Sequence, residues 1–261
     1  MHRHVLLSAV GLTYFCLATF ALTTFDFGLL TSSLVLFGVP AYLLARYSAA
    51  PSAVVLSVVA FGAGIAILLE GIAHIYGTWY TVGVDELRIF GLIPLEVIVT
   101  SILQTVFLAL LYELIFDDGE YSTSSETVRF TAFGVLCLCV LSLVGIHQYV
   151  FNGVYFSHSY IWILGILVSS TFATLAVTRS FTLRFFDRLF AFTAVASIPL
   201  FLSLFVAVLN THKIFAHTHD YLYAFTFFGN VVPLEEVLLV VAMPIFVATL
   251  YELYLDDGKV S

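Results

Sequence analysis

The sequence predicts an all-α polytopic membrane protein of about eight transmembrane helices in two parallel four-helix repeats. Three observations carry that expectation. The 261 residues are 61% hydrophobic with a mean hydropathy of +1.08, and only 10% are charged. Apolar runs of about 20 residues, the length that crosses a bilayer, recur along the chain. One segment is written twice: Pro94 to Gly119 and Pro233 to Gly258 align without a gap at an offset of 139 residues, with 12 of 26 positions identical. A soluble domain of this size could not cover so apolar a chain with polar surface.

The spans read at about 5–24, 28–46, 53–73, 89–113, 129–149, 159–178, 189–209 and 229–252. The first is too long, and too poor in a small-residue cleavage site, for a removable signal peptide. Four spans fall on each side of Asp117-Asp118-Gly119-Glu120, which opens the most polar stretch of the chain. The expected organisation is therefore a first repeat over 1–116, a polar cytoplasmic linker over 117–128 and a second repeat over 129–261. An even number of spans per repeat gives both the same orientation, so the repeats are parallel.

Cytoplasmic loops carry the excess of Lys and Arg. With a cytoplasmic N-terminus, Arg3, Arg46, Arg129, Arg179, Arg184, Arg188 and Lys259 lie inside, against Arg88 and Lys213 outside. The expected location is the cell membrane, multi-pass, with both termini cytoplasmic. The net charge of −8 argues against a nucleic-acid partner. Cys16, Cys137 and Cys139 all fall in expected spans and lack a CxxC spacing, so neither a disulfide framework nor a zinc site is expected.

Chemistry enters with carboxylates in apolar sequence. An acid within a span costs on the order of 2.5–3.5 kcal/mol on insertion scales and turns toward a protein interior, a partner or a cavity. Glu96, Glu235 and Glu236 lie a turn or two inside the outer ends of their helices, and Glu70 lies near the outer end of the third. All four are expected at one depth, as candidates for acid and base work on an apolar substrate. The plainer reading is that Pro followed by acid starts any helix well, because negative charge suits the positive end of the dipole. The Tyr-Glu and Asp-Asp-Gly ends of the repeated segment read as cytoplasmic helix termini, with Gly119 and Gly258 suited to helix exit.

His74 stands four residues after Glu70, one helical turn on, where it could share a proton with it. His212, His217, His219 and Asp220 crowd the loop before the second acidic helix. His-x-His alone is a weak metal signal, and no metal is expected. His147 and His158 flank an outer loop and are weaker candidates of the same kind. Trp79, Tyr80, Tyr221 and Tyr223 fall in outer loops, where they form either an interfacial belt or an aromatic wall that stabilises a transient cation. A dinucleotide fingerprint, a P-loop, HExxH and Asp/Asn-rich magnesium motifs are all absent from the sequence.

Phe90-Gly91-Leu92-Ile93-Pro94-Leu95-Glu96 and Phe228-Gly229-Asn230-Val231-Val232-Pro233-Leu234-Glu235-Glu236, each followed by a Tyr-Glu, resemble the PxE(E/D) motifs of the membrane-integral lycopene cyclases. Gly77-Thr78-Trp79-Tyr80 is similar to the segment before that family's first motif. The resemblance implies a redox-neutral β-cyclisation of the ends of a linear carotene without a cofactor, with Glu96, Glu235 and Glu236 as motif acids. It implies a lipid-soluble isoprenoid substrate, membrane lipids as surroundings, and a homo-oligomer or carotenoid-pathway enzymes as partners. Val97 departs from the motif, standing where the family has a second acid, and eight spans exceed the family's six or seven. A transport-type or non-catalytic carotenoid-binding protein and a carotenoid hydratase are the alternatives.

Overall fold

The computed structural model describes residues 2–25, 27–48, 93–116, 183–209 and 221–252, with shorter pieces at 58–59, 62–64, 69–70, 73, 79–81, 87–89, 164–165, 167–169, 171–172 and 215–217. These are mostly helical. Five long helices are labelled α1 (His2–Phe25), α2 (Leu29–Ala45), α3 (Leu95–Ile115), α4 (Leu183–Leu209) and α5 (Leu234–Leu250). Among the described residues, Leu95–Ile115 and Phe185–Leu209 are long and apolar enough to cross a membrane. The spans expected at 129–149 and 159–178 lie wholly or largely outside the described residues.

Helix α2 contains one π segment, Leu34–Gly38, closed by the Val39 N–H reaching back to the Leu34 carbonyl. Pro40 explains it, because a proline cannot donate to the carbonyl four residues earlier and its ring crowds that turn. Helix α2 lies along α3, α1 along α4, α4 along α5, and α3 against α5. The apolar core runs between them, with Leu22, Leu36, Phe37, Phe107, Leu108, Tyr112, Phe185, Phe192 and Val247 all buried. Residue 62 presses on α3: a Cβ at Gly62 would stand 3.1 Å from Cα of Ile102, and Ser101 Oγ donates to the Gly62 carbonyl at 3.3 Å. A larger residue there would require α3 to give by a few tenths of an ångström.

Short strands cap the helix starts. β1 (Trp79–Thr81) pairs antiparallel with β4 (Phe215–His217), joining loops from the two halves of the chain, with Trp79 opposite His217. β2 (Arg88–Ile89) pairs with β3 (Ile93–Pro94), and β5 (Ala224–Phe227) with β6 (Asn230–Pro233). Pro94 and Pro233 then cap α3 and α5 in nearly the same conformation, φ −63°, ψ 136° and φ −64°, ψ 139°. In both, the next residue's N–H is tied back across the hairpin: Leu95 donates to the Leu87 carbonyl at 3.0 Å and Leu234 to the Tyr223 carbonyl at 2.9 Å. The helix starts expected at 89 and 229 are thus corrected to 95 and 234. The intervening residues are spent on hairpins, whose apolar character cannot be told from that of a helix by run length.

Candidate functional site: one cavity between equivalent helix faces

Helices α3 and α5 meet around a cavity of about 190 Å³. Helix α3 lines it with Val97, Thr100, Ser101 and Gln104, and α5 with Glu236, Leu239, Val240 and Met243. Each set is spaced i, i+3, i+4, i+7, a single helical face. The 139-residue offset carries each α3 residue onto its α5 counterpart, so the equivalent faces of the two copies of the duplicated segment close on the same space. Their chemistry is unequal. The α3 face is neutral and polar, whereas α5 contributes one acid near its start and apolar side chains below it.

Other elements add to the polar side. Glu70 lines the cavity and is buried, as do Ser32 and Ser33 of α2 and Ser203 of α4. Ser33 Oγ and Thr100 Oγ1 lie 2.7 Å apart, fastening α2 to α3 at the wall. Pro244, one turn after Val240, has no N–H to give the helix ladder. Two carboxyl groups therefore share one small chamber with hydroxyls, an amide and aliphatic carbon. Such a chamber can donate a proton to an apolar guest and take one back.

Below Gln104 and Met243 the two helices are packed together. Phe107, Leu108, Ala109, Val247 and Ala248 are all buried there, filling about 12 Å of helix rise between Gln104 and Tyr112. Under that layer lies a second polar group. The Tyr112 hydroxyl donates to Glu252 Oε1, and the Tyr251 hydroxyl donates to Glu113 Oε2. Tyr112 and Tyr251 are equivalent under the offset, as are Glu113 and Glu252, so each copy's phenol serves the other copy's carboxylate. All four residues are buried. The two tyrosine rings meet edge to face at 5.9 Å, and Phe192 packs on Tyr112 at 5.0 Å. Tyr112-Glu113 and Tyr251-Glu252 do mark the ends of α3 and α5, as expected, and they also join the two helices to each other.

The acids of the two PLE motifs sit elsewhere. Glu235 is 4% exposed, and its Oε1 accepts the Leu222 N–H. Its Oε2 has no hydrogen-bond partner among the described residues. It stitches the hairpin to the start of α5. Glu96 is half-buried in the first turn of α3. Neither lines the cavity: of the four acids expected at one depth, Glu70 and Glu236 line it, and Glu96 and Glu235 lie in the first turns of α3 and α5 without doing so. Tyr221 is half-buried and Tyr223 exposed beside the second hairpin. Trp79 and Tyr80 form β1. His74, His219 and Asp220 lie outside the described residues.

The neutral wall of Thr100, Ser101 and Gln104 is a further part of the site. Its signal was present as polar residues spaced i, i+1, i+4 in an apolar span. Comparison with protein-family models, with curated proteins and with solved structures returns no match.

Proposed function

We propose that this chain is a multi-pass membrane enzyme of lycopene β-cyclase type, built of two parallel four-helix repeats around one shared site. The observation that carries the reading is that Glu70 and Glu236 line one chamber whose other lining groups, among the described residues, are neutral. Glu236 is the acid that adds a proton to the terminal double bond of a linear carotene. The neighbouring alkene attacks the resulting cation and closes a six-membered ring. Glu70 is the base that removes a proton from the carbon beside the cation, leaving a ring double bond, so the reaction is a net isomerisation.

Size supports the assignment. A cavity of about 150 Å³ holds a benzene molecule, so 190 Å³ suits one methylated ring and not a whole carotene. The polyene tail then lies among apolar helices, its length of about 30 Å matching the hydrocarbon thickness. Among the described residues the layer beneath Gln104 is mainly apolar, its buried Thr105 and Thr249 hydroxyls bonded back to their own helices, which weighs against a transport path that needs polar groups through the membrane. A hydratase would use the same protonation and capture the cation with water, which the hydroxyls of Thr100 and Ser101 could hold.

Expression in a lycopene-accumulating host tests the proposal through pigment composition. Cyclic carotenes are expected. Hydroxylated acyclic products would convert the reading to hydratase, and unchanged lycopene, with the protein present in the membrane fraction, would refute both.

A further inference from the structure

Residues 221–234 contain no charge over fourteen positions, yet the hairpin they form is exposed. Phe228, Leu222 and Tyr223 are 71%, 64% and 62% accessible. The turn of that hairpin is Phe228-Gly229, with φ of 48° and 80°. Two positive φ values in a two-residue loop call for Asn, Asp or Gly at the first position, and a phenylalanine there is strained. The strain holds an aromatic ring at the tip of the hairpin. There it joins a cluster, with Phe227 and Phe228 at 4.8 Å and Phe205 of α4 at 5.6 and 6.0 Å from them.

Through Phe205 this cluster is continuous with the outer surface of α4, an apolar helix long enough to cross a membrane, where Phe190, Ile198 and Phe201 are exposed. The first hairpin differs. Pro94 pairs with Arg88, six residues back, whereas Pro233 pairs with Ala224, nine residues back. The second hairpin is therefore longer, and it lacks the cation of the first.

We propose that the β5–β6 hairpin is a lipid-contact element whose partner is the bilayer itself. Its open strand edges need water, which keeps the backbone at headgroup level. The rings of Phe227 and Phe228 reach down to the first acyl carbons, where aromatic side chains partition favourably. The proposal rests on the membrane reading above but not on the cyclase chemistry.

The test uses the full chain in phosphatidylcholine vesicles, with Trp79 and Trp162 replaced by phenylalanine and with Phe228→Trp as the reporter. Lipids brominated near the head of the acyl chain should quench the reporter, its emission should shift to the blue, and aqueous iodide should leave it bright. Quenching by iodide and none by brominated lipid, in protein that co-floats with the vesicles, would overturn the proposal. Phe227→Trp carries the same test should the first variant fold poorly. Protein that does not co-float would overturn the membrane reading, and the hairpin's with it.

Discussion

Helices α3 and α5 are two versions of one segment, and they agree and differ at instructive places. They agree at the ends. Pro94 and Pro233 cap them alike, Leu95 and Leu234 tie back to their hairpins alike, and Tyr-Glu at the far end is used reciprocally. They differ in between, at every position from 97 to 106, the four that face the cavity among them. Identical residues at the ends join the two copies to each other and to their hairpins; differing residues between them make one chemically lopsided chamber out of two equivalent faces. Val97 thus lines the same cavity as Glu236.

The largest effect expected from this comparison is at Glu236. General acids contribute roughly 10²–10⁴-fold to rate, so Glu236→Gln should lower cyclisation by that order with the protein still in the membrane. The Val97→Glu/Glu236→Val exchange moves the acid to the equivalent position across the same space. It should recover part of the activity that Glu236→Val alone removes. Pigment analysis with quantified membrane protein reads both, and wild-type turnover in Glu236→Gln would break the proposed asymmetry.

Next is the reciprocal contact. Phe at Tyr112 or Tyr251 removes one hydrogen bond to a buried carboxyl group, a loss of about 0.5–1.5 kcal/mol. Because the two bonds are equivalent, Tyr112→Phe and Tyr251→Phe should lower the thermal midpoint in detergent by similar amounts. A drop in one variant alone would show that the copies share the geometry but not the energetics.

Much of this was legible in the chain, and the remainder was hidden for physical reasons. The extents expected for the first two spans agree closely with α1 and α2, because Asp26 and the polar stretch after Arg46 interrupt the apolar runs. The starts of α3 and α5 were read too early, because Ile-Phe-Gly-Leu-Ile and Phe-Phe-Gly-Asn-Val-Val are apolar enough to extend a span. Phe228-Gly229 was the available turn signal. The cavity face was visible as a polar stripe from Thr100 to Gln104, but its α5 counterpart, Leu239 to Met243, is apolar and looks like lipid-facing helix. The partners of the two Tyr-Glu pairs lie 138 and 140 residues away, a distance at which residue type alone names no contact.

The smallest effects belong to the residues whose identity first drew notice. Glu235 is buried and accepts one backbone N–H, so Glu235→Ala should cost about 0.5–1.5 kcal/mol, the net worth of one hydrogen bond. Glu96 is only half-buried, and a substitution at such a surface position usually stays within about 0.5 kcal/mol. Since neither lines the cavity, Glu235→Gln and Glu96→Gln should keep most of the cyclising activity. The argument is sharpest in the pairing of variants: Glu235→Gln and Glu236→Gln alter adjacent residues, by the same atoms, on two faces of one helix. If chemistry resides in the chamber, only the second should fail. If Glu96→Gln or Glu235→Gln abolishes turnover while Glu236→Gln spares it, the reacting end of the substrate lies at the hairpins and the chamber between α3 and α5 serves another purpose.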